Sequence, residues 1–464
     1  MVTGEGLSDL PSTFDKRCPP APGHLPTTNG VIVNWPDDAP PERGLTEDAA
    51  AAHVHGIVFK TGPPSKVGVE LEWLVRDARD PALPVPAKRT FPAVADLTAP
   101  AVLPDPAALP SGSMLTTEPG GQLELSSAPA GSLSECVTAV RGEMTTLRQA
   151  VDRAGLQLQG YGYDPLRSPH RVLDLPRYAA MEEFFDRSGP WGRQMMCNTA
   201  SVQVCLDAGQ DTTAKGGYRW RWRLAHQLGP VLVAAFANSP LRQGKPSGWR
   251  STRQEVWAHL DPGRTQPPPD RDRDPRDTYV DYALDAELML VRREGSPSWT
   301  APPGLTFRDW LRGQGERQPT VDDLTYHLST LFPPVRPRGH LELRMIDAQP
   351  GDDGWVVPAA VAWALFEDPE AADTAMAAAE PLSSGNGHRR PTGAAAGDPW
   401  LRAACQGPAD PEIARASQRC FEAADAALGR ANAPADIRDS VAEFTERYVL
   451  RRRCPADDQL EGKH

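Results

Sequence analysis

The sequence predicts an α+β fold in which helices cover one face of an antiparallel sheet and the other face lines a cavity. Two observations support this prediction. Four separate segments alternate aliphatic side chains with carboxylate, amide or guanidinium side chains, as strands with one buried face do. Stretches with the 3.6-residue periodicity of amphipathic helices lie between these segments, and the chain contains no internal repeat.

The 464 residues suit one large catalytic domain or two coupled lobes. Residues 1–45 are rich in Pro, Gly, Asp and Glu and are predicted to form a flexible N-terminal arm, which leaves 46–464 as a single catalytic domain. Polar or small residues also dominate the stretches near 261–277 and 377–397. We expect long loops there, the first of which is a candidate lid.

The first predicted strand is VGVELEWLV, residues 67–75. Side chains alternate between the two faces of a strand, so Val69 and Leu71 point one way while Glu70 and Glu72 point the other, about 7 Å apart. Both carboxylates therefore share one face of the sheet.

Three later segments repeat this pattern. TTEPGGQLELSS (116–127) places Glu124 opposite two leucines, with Glu118 arriving from the Pro-Gly-Gly turn. In MMCNTASVQVCLD (195–207), residues 201–206 alternate, with Gln203 and Cys205 on the polar side. GHLELRMID (339–347) places Glu342 and Arg344 opposite its aliphatic residues.

Helices are predicted where apolar residues recur every three or four positions. The clearest case begins at Ser132 with a capping box to Glu135 and ends at Gly155. The predicted helices span 132–155 and about 217–237, with two more between about 410 and 453.

Five glutamates gathered on one surface would repel each other strongly unless cations neutralise them. An all-oxygen donor set without cysteine or clustered histidine favours Mg²⁺, or Mn²⁺, over zinc. The opposing interpretation stays open for each segment alone, because an ordinary half-exposed strand also alternates in this way, with its glutamates in solvent.

Composition and charge limit the binding partners and the cellular location that we expect. A net charge of −12 and a pI near 5.4 argue against binding nucleic acid. No segment approaches the roughly 20 apolar residues of a membrane span, and the N-terminus lacks the features of a signal peptide. Seven scattered cysteines without a C-x-x-C pair indicate reduced thiols and a cytoplasmic location.

The segment GKPSGWRSTRQ (244–254) offers Lys245, Arg250 and Arg253 to phosphates on a glycine-containing loop, although no P-loop motif occurs. The alternative is a cationic loop paired with surface acids. Two other features are interpreted as structural: the histidines at 53 and 55 and the tryptophans at 220 and 222, for which helix packing is favoured over a base-stacking platform.

The residue identities in five ordered sequence blocks are more specific than the periodicity of those blocks. GVELEW, TEPGGQLELS, MMCNTASVQVCLD, GKPSGWRSTRQEVW and HLELRMID resemble, in this order, conserved blocks of the glutamate-cysteine ligase family. The resemblance covers about residues 55–450 and is to the plant and bacterial branch, in particular to the actinobacterial ligases that supply ergothioneine.

This resemblance implies a glutamine-synthetase-like fold, with a curved antiparallel sheet forming a concave active-site bowl and helices packed outside. It implies ATP and Mg²⁺ as cofactors, with Mn²⁺ as an alternative metal, and L-glutamate and L-cysteine as substrates. The implied reaction joins the γ-carboxyl of glutamate to the amine of cysteine through a γ-glutamyl phosphate.

The resemblance also implies residue roles. Arg344 is expected to meet the transferred phosphate, and Arg253 either glutamate or the phosphate, with Lys245 and Arg250 as further nucleotide contacts. Gln203 stands where some relatives have a metal-binding histidine, and Cys205 where the family often has asparagine. The expected metal ligands are Glu70, Glu72, Glu118, Glu124 and Glu342.

Two alternatives stay open: a carboxylate–amine ligase with a different amine acceptor, or an inactive relative that binds only metal or nucleotide. The oligomeric state is not predicted.

Overall fold

The computed structural model of the chain describes residues 44–62, 66–97, 109–268, 273–293, 295–383 and 398–462. These residues belong to one structural unit. The predicted arm, residues 1–45, lies outside the described residues except for its last two, of which Leu45 is buried in the core.

The main sheet is open and has seven strands. Its order is β2-β3-β1-β5-β9-β8, with β4 pairing a second part of β1, and every pairing in it is antiparallel. A separate two-stranded hairpin consists of β6 and β7. The strands are β1 Val67–Asp77, β2 Met114–Thr117, β3 Leu123–Ser126, β4 Leu156–Gln159, β5 Ser201–Asp207, β6 Leu241–Arg242, β7 Lys245–Pro246, β8 Val335–Pro337 and β9 His340–Asp347.

Helices make up most of the rest of the described chain. Short π-helical turns continue α10 and α16, and no helix in the described ranges combines the length and apolar character needed to cross a bilayer. The helices are α1 Glu47–Val58, α2 Ala87–Val94, α3 Leu133–Arg153, α4 Pro176–Asp186, α5 Trp191–Asn198, α6 Tyr218–Ala235, α7 Thr252–His259, α8 Pro262–Thr265, α9 Pro275–Asp285, α10 Phe307–Asp309, α11 Val321–Leu328, α12 Val356–Glu367, α13 Pro369–Ser383, α14 Pro399–Gln406, α15 Pro411–Arg430, α16 Ala435–Phe444 and α17 Pro455–Leu460.

The core lies on the aliphatic side of the sheet. Val69 and Leu71 of β1 are buried there in one cluster with apolar residues of α3, α6, α12 and α15. Helix α12 is buried almost all round, because helices pack on its sides as well as the sheet. The predicted arrangement, with helices on one face of an antiparallel sheet, is therefore observed.

The helices predicted from periodicity are also present, at α3, α6, α15 and α16. Ser132 caps α3, since its side chain accepts a hydrogen bond from the backbone N–H of Glu135 at 3.2 Å. The Glu135 carboxylate accepts from the N–H of Gly131 rather than from Ser132, so only half of the predicted capping box forms as expected. Gly155 ends the helix with a positive φ of 68°.

Within the block 195–207, the residues predicted to alternate, 201–206, form strand β5. Residues 195–198 form the end of α5, and the strand begins only at Ser201. These four helical residues are all buried, so no alternation of polar and apolar side chains separates helix from strand.

Helices also enter both stretches that composition predicts as loops. Asp261 and Asp274 cap α8 and α9 from within 261–277, each followed by a proline at the first helical position. Helix α13 extends to residue 383, inside the predicted loop 377–397. Residues 269–272 and 384–397 lie outside the described residues.

Two helical glycines provide a matched test of packing. A Cβ at Gly229 in α6 would overlap the ring of Trp400 in α14, whereas a Cβ at Gly142 in α3 meets nothing within 4 Å. We expect Gly229→Ala to lower the free energy of unfolding by about 1–3 kcal/mol through overpacking. Gly142→Ala should raise it by about 0.5–1 kcal/mol. Urea denaturation measures both, and a stabilised Gly229→Ala variant would show that the two helices are not in close contact.

Candidate active site

The glutamates predicted to share a face do so across neighbouring strands. In the register of the sheet, Glu72 of β1 stands opposite Glu124 of β3, and Glu70 stands opposite Gln203 of β5. Glu342 of β9 lies one strand further along, paired with Cys205. We call this side of the sheet, which carries Glu70, Glu72, Glu124, Gln203 and Glu342, the polar face.

A β-bulge interrupts the pairing of β5 with β9. Val202 pairs with Ile346 but Val204 pairs with Leu343, so two residues of β9 stand opposite Gln203 alone. The extra residue changes the phase of the alternation. Arg344, within the irregularity, and Asp347, after it, therefore both reach the polar face.

Glu118 reaches the polar face from the turn between β2 and β3. The backbone N–H of Glu118 donates to the carbonyl of Gln122 at 2.8 Å, which closes the turn. Gly121 has a φ of 87°, and a Cβ at Gly120 would overlap the backbone of Cys197. Both glycines are therefore required for this turn to pack.

Four of these carboxylates have raised pKa values. Burial, together with Glu342 and Glu124, raises the pKa of Glu70 to about 8. Burial and Glu72 raise the pKa of Glu124 to about 7. Burial also raises the pKa of Glu72, and that of Glu118 well above its usual range. Each of them lacks enough positive charge nearby to be ionised at low cost.

Glu342 is in the opposite situation. Burial alone would raise its pKa, but Arg336, Arg344 and Arg338 lower it far below the usual range. Arg336 of β8 donates from Nη2 to Oε1 at 2.7 Å and from Nε to Oε2 at 3.0 Å, and Arg344 also donates to Oε1. This carboxylate stays ionised because two guanidinium groups bind it.

Gln203 of β5 forms hydrogen bonds to side chains of both neighbouring strands, β1 and β9. Its amide oxygen accepts a hydrogen bond from Arg344, and its Nε2 donates to Glu72 Oε1 at 3.0 Å. The neutral amide of Gln203 thus links the guanidinium of Arg344 to the carboxylate of Glu72.

Arg253 lies in α7, 2% exposed, and stacks on Trp257 with its guanidinium carbon 4.7 Å from the ring centre. Its Nη2 donates to the backbone carbonyl of Arg344 at 2.8 Å. Its Nε and Nη1 have no hydrogen-bond partner. Two donors of a buried cation are therefore left for an incoming anion.

The other two cations of this segment lie elsewhere. Lys245 is exposed on the short hairpin of β6 and β7. Arg250 donates from Nε to Asp457 of α17 at 2.7 Å, so its partner is an acid of the C-terminal segment.

The two histidines and the two tryptophans noted in the sequence lie in helices. His53 and His55 lie in α1, where a separation of two residues turns their side chains to different sides, and His55 is 3.7 Å from Asp277. Trp222 is buried against Phe59 and Tyr279. Burial, with Glu70 and Glu342, raises the pKa of the Cys205 thiol well above its usual value, which disfavours a nucleophilic role.

The carboxylates share a face without meeting at one point. Within the described part of the chain, no three acidic, histidine or cysteine side chains lie close enough to hold a metal ion as they stand. Like charges repel in a buried setting, which accounts for the spread. The donor chemistry, four partly buried carboxylates with raised pKa values, nevertheless suits a hard divalent cation.

Comparison with known proteins decides the family. Residues 66–462 match the family model of glutamate-cysteine ligase family 2 (GCS2). The chain belongs to this family. Among curated relatives, the ligase is 38% identical over 428 residues to glutamate–cysteine ligase EgtA of Mycobacterium tuberculosis (strain ATCC 25618 / H37Rv), covering 90% of this chain and 91% of that protein. It is 39% identical over 426 residues to EgtA of Mycolicibacterium smegmatis, covering 90% and 92%.

More distant relatives agree. The chloroplastic glutamate–cysteine ligase of Arabidopsis thaliana is 32% identical over 263 residues, which cover 55% of this chain and 49% of that protein. The fold is similar to a crystal structure of glutamate–cysteine ligase from Francisella tularensis in complex with AMP, with a TM-score of 0.52 at 13% identity over 86% of this chain and 85% of that one. The predicted family and the predicted ligase class are confirmed.

Two residues of the site were missed by sequence reasoning. Arg336 of the ligase lies two positions before the Arg-Gly turn that leads into β9. It stands opposite Glu342 in the β8–β9 hairpin, and only a prediction of this hairpin would have identified it. Asp347 closes the segment GHLELRMID, but strict alternation places it with the aliphatic residues. Only the bulge brings it to the polar face.

The Arg336–Glu342 pair of the ligase can be tested by stability. Arg336→Met leaves the fully buried Glu342 carboxylate with one guanidinium fewer. We expect a loss of about 3 kcal/mol in the free energy of unfolding, because an uncompensated buried charge is costly. Urea denaturation measures the loss.

The matched double variant Arg336→Met/Glu342→Gln should recover part of that loss. Lys215→Met, which removes the exposed ion pair with Asp373, should leave the denaturation midpoint unchanged. An Arg336→Met variant as stable as the wild type would contradict this account of the pair.

Proposed function

We propose that the ligase uses ATP to join the γ-carboxyl of L-glutamate to the amine of L-cysteine, releasing γ-glutamylcysteine, ADP and phosphate. One observation carries the proposal: four partly buried carboxylates with raised pKa values share one sheet face with Arg344, beside the buried Arg253. The relatives that share 38–39% identity over nine-tenths of this chain are glutamate–cysteine ligases.

The chemistry explains why such a site needs both signs of charge. An amine does not attack a carboxylate, because the acyl carbon carries negative charge around it and the leaving group would be oxide. Transfer of the γ-phosphoryl group of ATP to the glutamate side chain gives an acyl phosphate, whose phosphate is a good leaving group. This transfer depends on positive charge placed around the phosphate oxygens rather than on a protein nucleophile.

Within the chain, we assign that positive charge to Arg344 and Arg253. Arg344 lies beside Glu342 and Gln203, and Arg253 presents two N–H donors without partners. Lys245 and Arg250 remain candidate nucleotide contacts, since they lie on the loop that enters α7. We further propose that the polar face is the floor of a concave active-site bowl.

We assign Mg²⁺, with Mn²⁺ as the alternative, to the polar face, where Glu70, Glu72, Glu118 and Glu124 would hold it. Glu342 belongs to the proposed set as well, although its oxygens already accept hydrogen bonds from Arg336 and Arg344. A bound divalent cation would neutralise these carboxylates and the phosphate oxygens together. We also propose a cytoplasmic location and a product that enters ergothioneine biosynthesis, as the resemblance to actinobacterial ligases implies.

Omission of substrates tests the proposal most directly. ADP release should require both glutamate and cysteine, and mass spectrometry should identify γ-glutamylcysteine as the product. A panel of other amines in place of cysteine tests the second candidate, a ligase with a different acceptor. Fast ADP release with another amine and none with cysteine would replace the proposed acceptor, and no ADP release with any amine would indicate an inactive relative.

Glu72→Gln tests the polar face itself. The change keeps the size of the side chain and removes its charge, so ADP release should fall by about 10²-fold or more while the fold is retained. Glu446→Gln, an exposed glutamate remote from the sheet, is the matched control and should turn over as the wild type does. Equal turnover in both variants would show that Glu72 has no role in the reaction.

Binding of Mg²⁺ should depend on pH in a direction set by the raised pKa values. Carboxylates that titrate near 7 and 8 are largely protonated below neutral pH, and only their ionised forms bind a cation. Affinity for Mg²⁺ alone should therefore rise from about pH 6 to about pH 8, with release of protons at neutral pH. Calorimetry in two buffers of different ionisation enthalpy measures both.

Glu124→Gln should reduce the number of protons released in the same calorimetric experiment. An affinity for Mg²⁺ that does not change over this pH range would rule out the polar face as the binding site.

A further inference from the structure

Asp347 is a buried acid to which the proposed reaction assigns no role. It ends β9 with 2% of its surface exposed, opposite Ser201 in the register of the sheet. Its Oδ2 accepts hydrogen bonds from the backbone N–H of Asn238 at 2.9 Å and from Ser239 Oγ at 2.7 Å. Its Oδ1 accepts from Ser251 Oγ at 2.9 Å.

These contacts join three elements at one carboxylate. Asn238 and Ser239 follow α6, Ser251 is the N-cap residue of α7, and Asp347 belongs to the sheet. A Cβ at position 162 would overlap the Asp347 carboxyl group, so Gly162 is needed to leave room for it. The acid is thus held in one position from several sides.

The cation that this acid faces is Arg253. Nη1 of Arg253 lies 3.9 Å from Asp347 Oδ1, and the backbone N–H of Arg253 donates to Ser239 Oγ at 3.2 Å. Burial lowers the pKa of the guanidinium, while Asp347 and Glu72 favour its charged form. The donors Nε and Nη1 are unmatched, and unmatched donors on a buried cation are costly unless a ligand meets them.

We propose that Asp347 is a positioning residue, which holds the Arg253 guanidinium so that its unpartnered Nε and Nη1 N–H groups face the anionic groups of the substrates. The anion that Arg253 meets is either a phosphate of ATP or a carboxylate of glutamate, since both accept charge-assisted hydrogen bonds from a guanidinium. This inference rests on the proposed function for the identity of those substrates.

The rival explanation is that Asp347 only fastens the three elements together. Asp347→Asn separates the two, because the amide oxygen can still accept from Asn238 and Ser239 while the charge facing Arg253 is lost. Arg253→Met removes the cation itself. The matched control is Asp323→Asn, another buried acid bound to an arginine, Arg317, at a helix N-terminus remote from the polar face.

The experiment compares wild type, Asp347→Asn, Arg253→Met and the double variant. It measures kcat and KM for ATP and for glutamate, together with calorimetric binding of Mg²⁺–ATP and of glutamate. We expect Asp347→Asn to lower kcat/KM by about 10²-fold, a typical cost of misplacing a group by about 1 Å. The double variant should be no worse than Arg253→Met alone, and Asp323→Asn should lose stability only.

The substrate whose binding weakens in both single variants identifies the anion that Arg253 meets. If Asp347→Asn does not fold, Ser239→Ala removes one anchor of the carboxylate but keeps its charge, and a smaller loss, absent in the Arg253→Met background, is expected. Losses that multiply in the double variant, or a loss no larger than that of Asp323→Asn, would overturn the proposal. A wild type that binds both substrates yet forms no γ-glutamylcysteine would instead overturn the proposed function, and the binding measurements would still decide the role of Asp347.

Discussion

Crowding of carboxylates on one sheet face beside too few cations is the constraint on which the rest of this structure depends. The polar face carries Glu70, Glu72, Glu124 and Glu342 on adjacent strands, and Glu118 reaches it from a turn. Folding must therefore supply enough favourable burial on the other side of the sheet to offset their repulsion. The aliphatic face, packed on α3, α6 and α12, is that source.

The compensation of charge is uneven across the sheet. At β8 and β9, Arg336 and Arg344 keep Glu342 ionised, whereas at β1 and β3 burial and repulsion raise the pKa values of the glutamates. Gln203 lies on β5 between these halves and bonds to both. Such an arrangement suits a reaction that must hold cations at one end and anionic oxygens at the other.

Much of the fold could be predicted because alternation and helical periodicity follow directly from the geometry of strands and helices. The glutamates at 70, 72, 124 and 342 face one side of the sheet for this reason. Helix α5 was not predicted, since its residues 195–198 are all buried and carry no periodic signal. The polar and small-residue composition of 261–277 and 377–397 favoured loops, so the helices entering both stretches were missed. The Asp-Pro pairs that begin at 261 and 274 are helix N-terminal signals that the composition did not reveal.

The sequence by itself determined the family, the ligase class, the antiparallel sheet with helices on one face, and which acids share its polar side. These properties depend on residue identity and short spacings, which a chain carries whether or not it is folded. Tertiary structure decided how the charges pair: Arg336 with Glu342, Arg250 with Asp457, and Arg253 with Asp347. Pairing depends on contacts between distant segments and on a one-residue bulge, and no local pattern in the sequence specifies either.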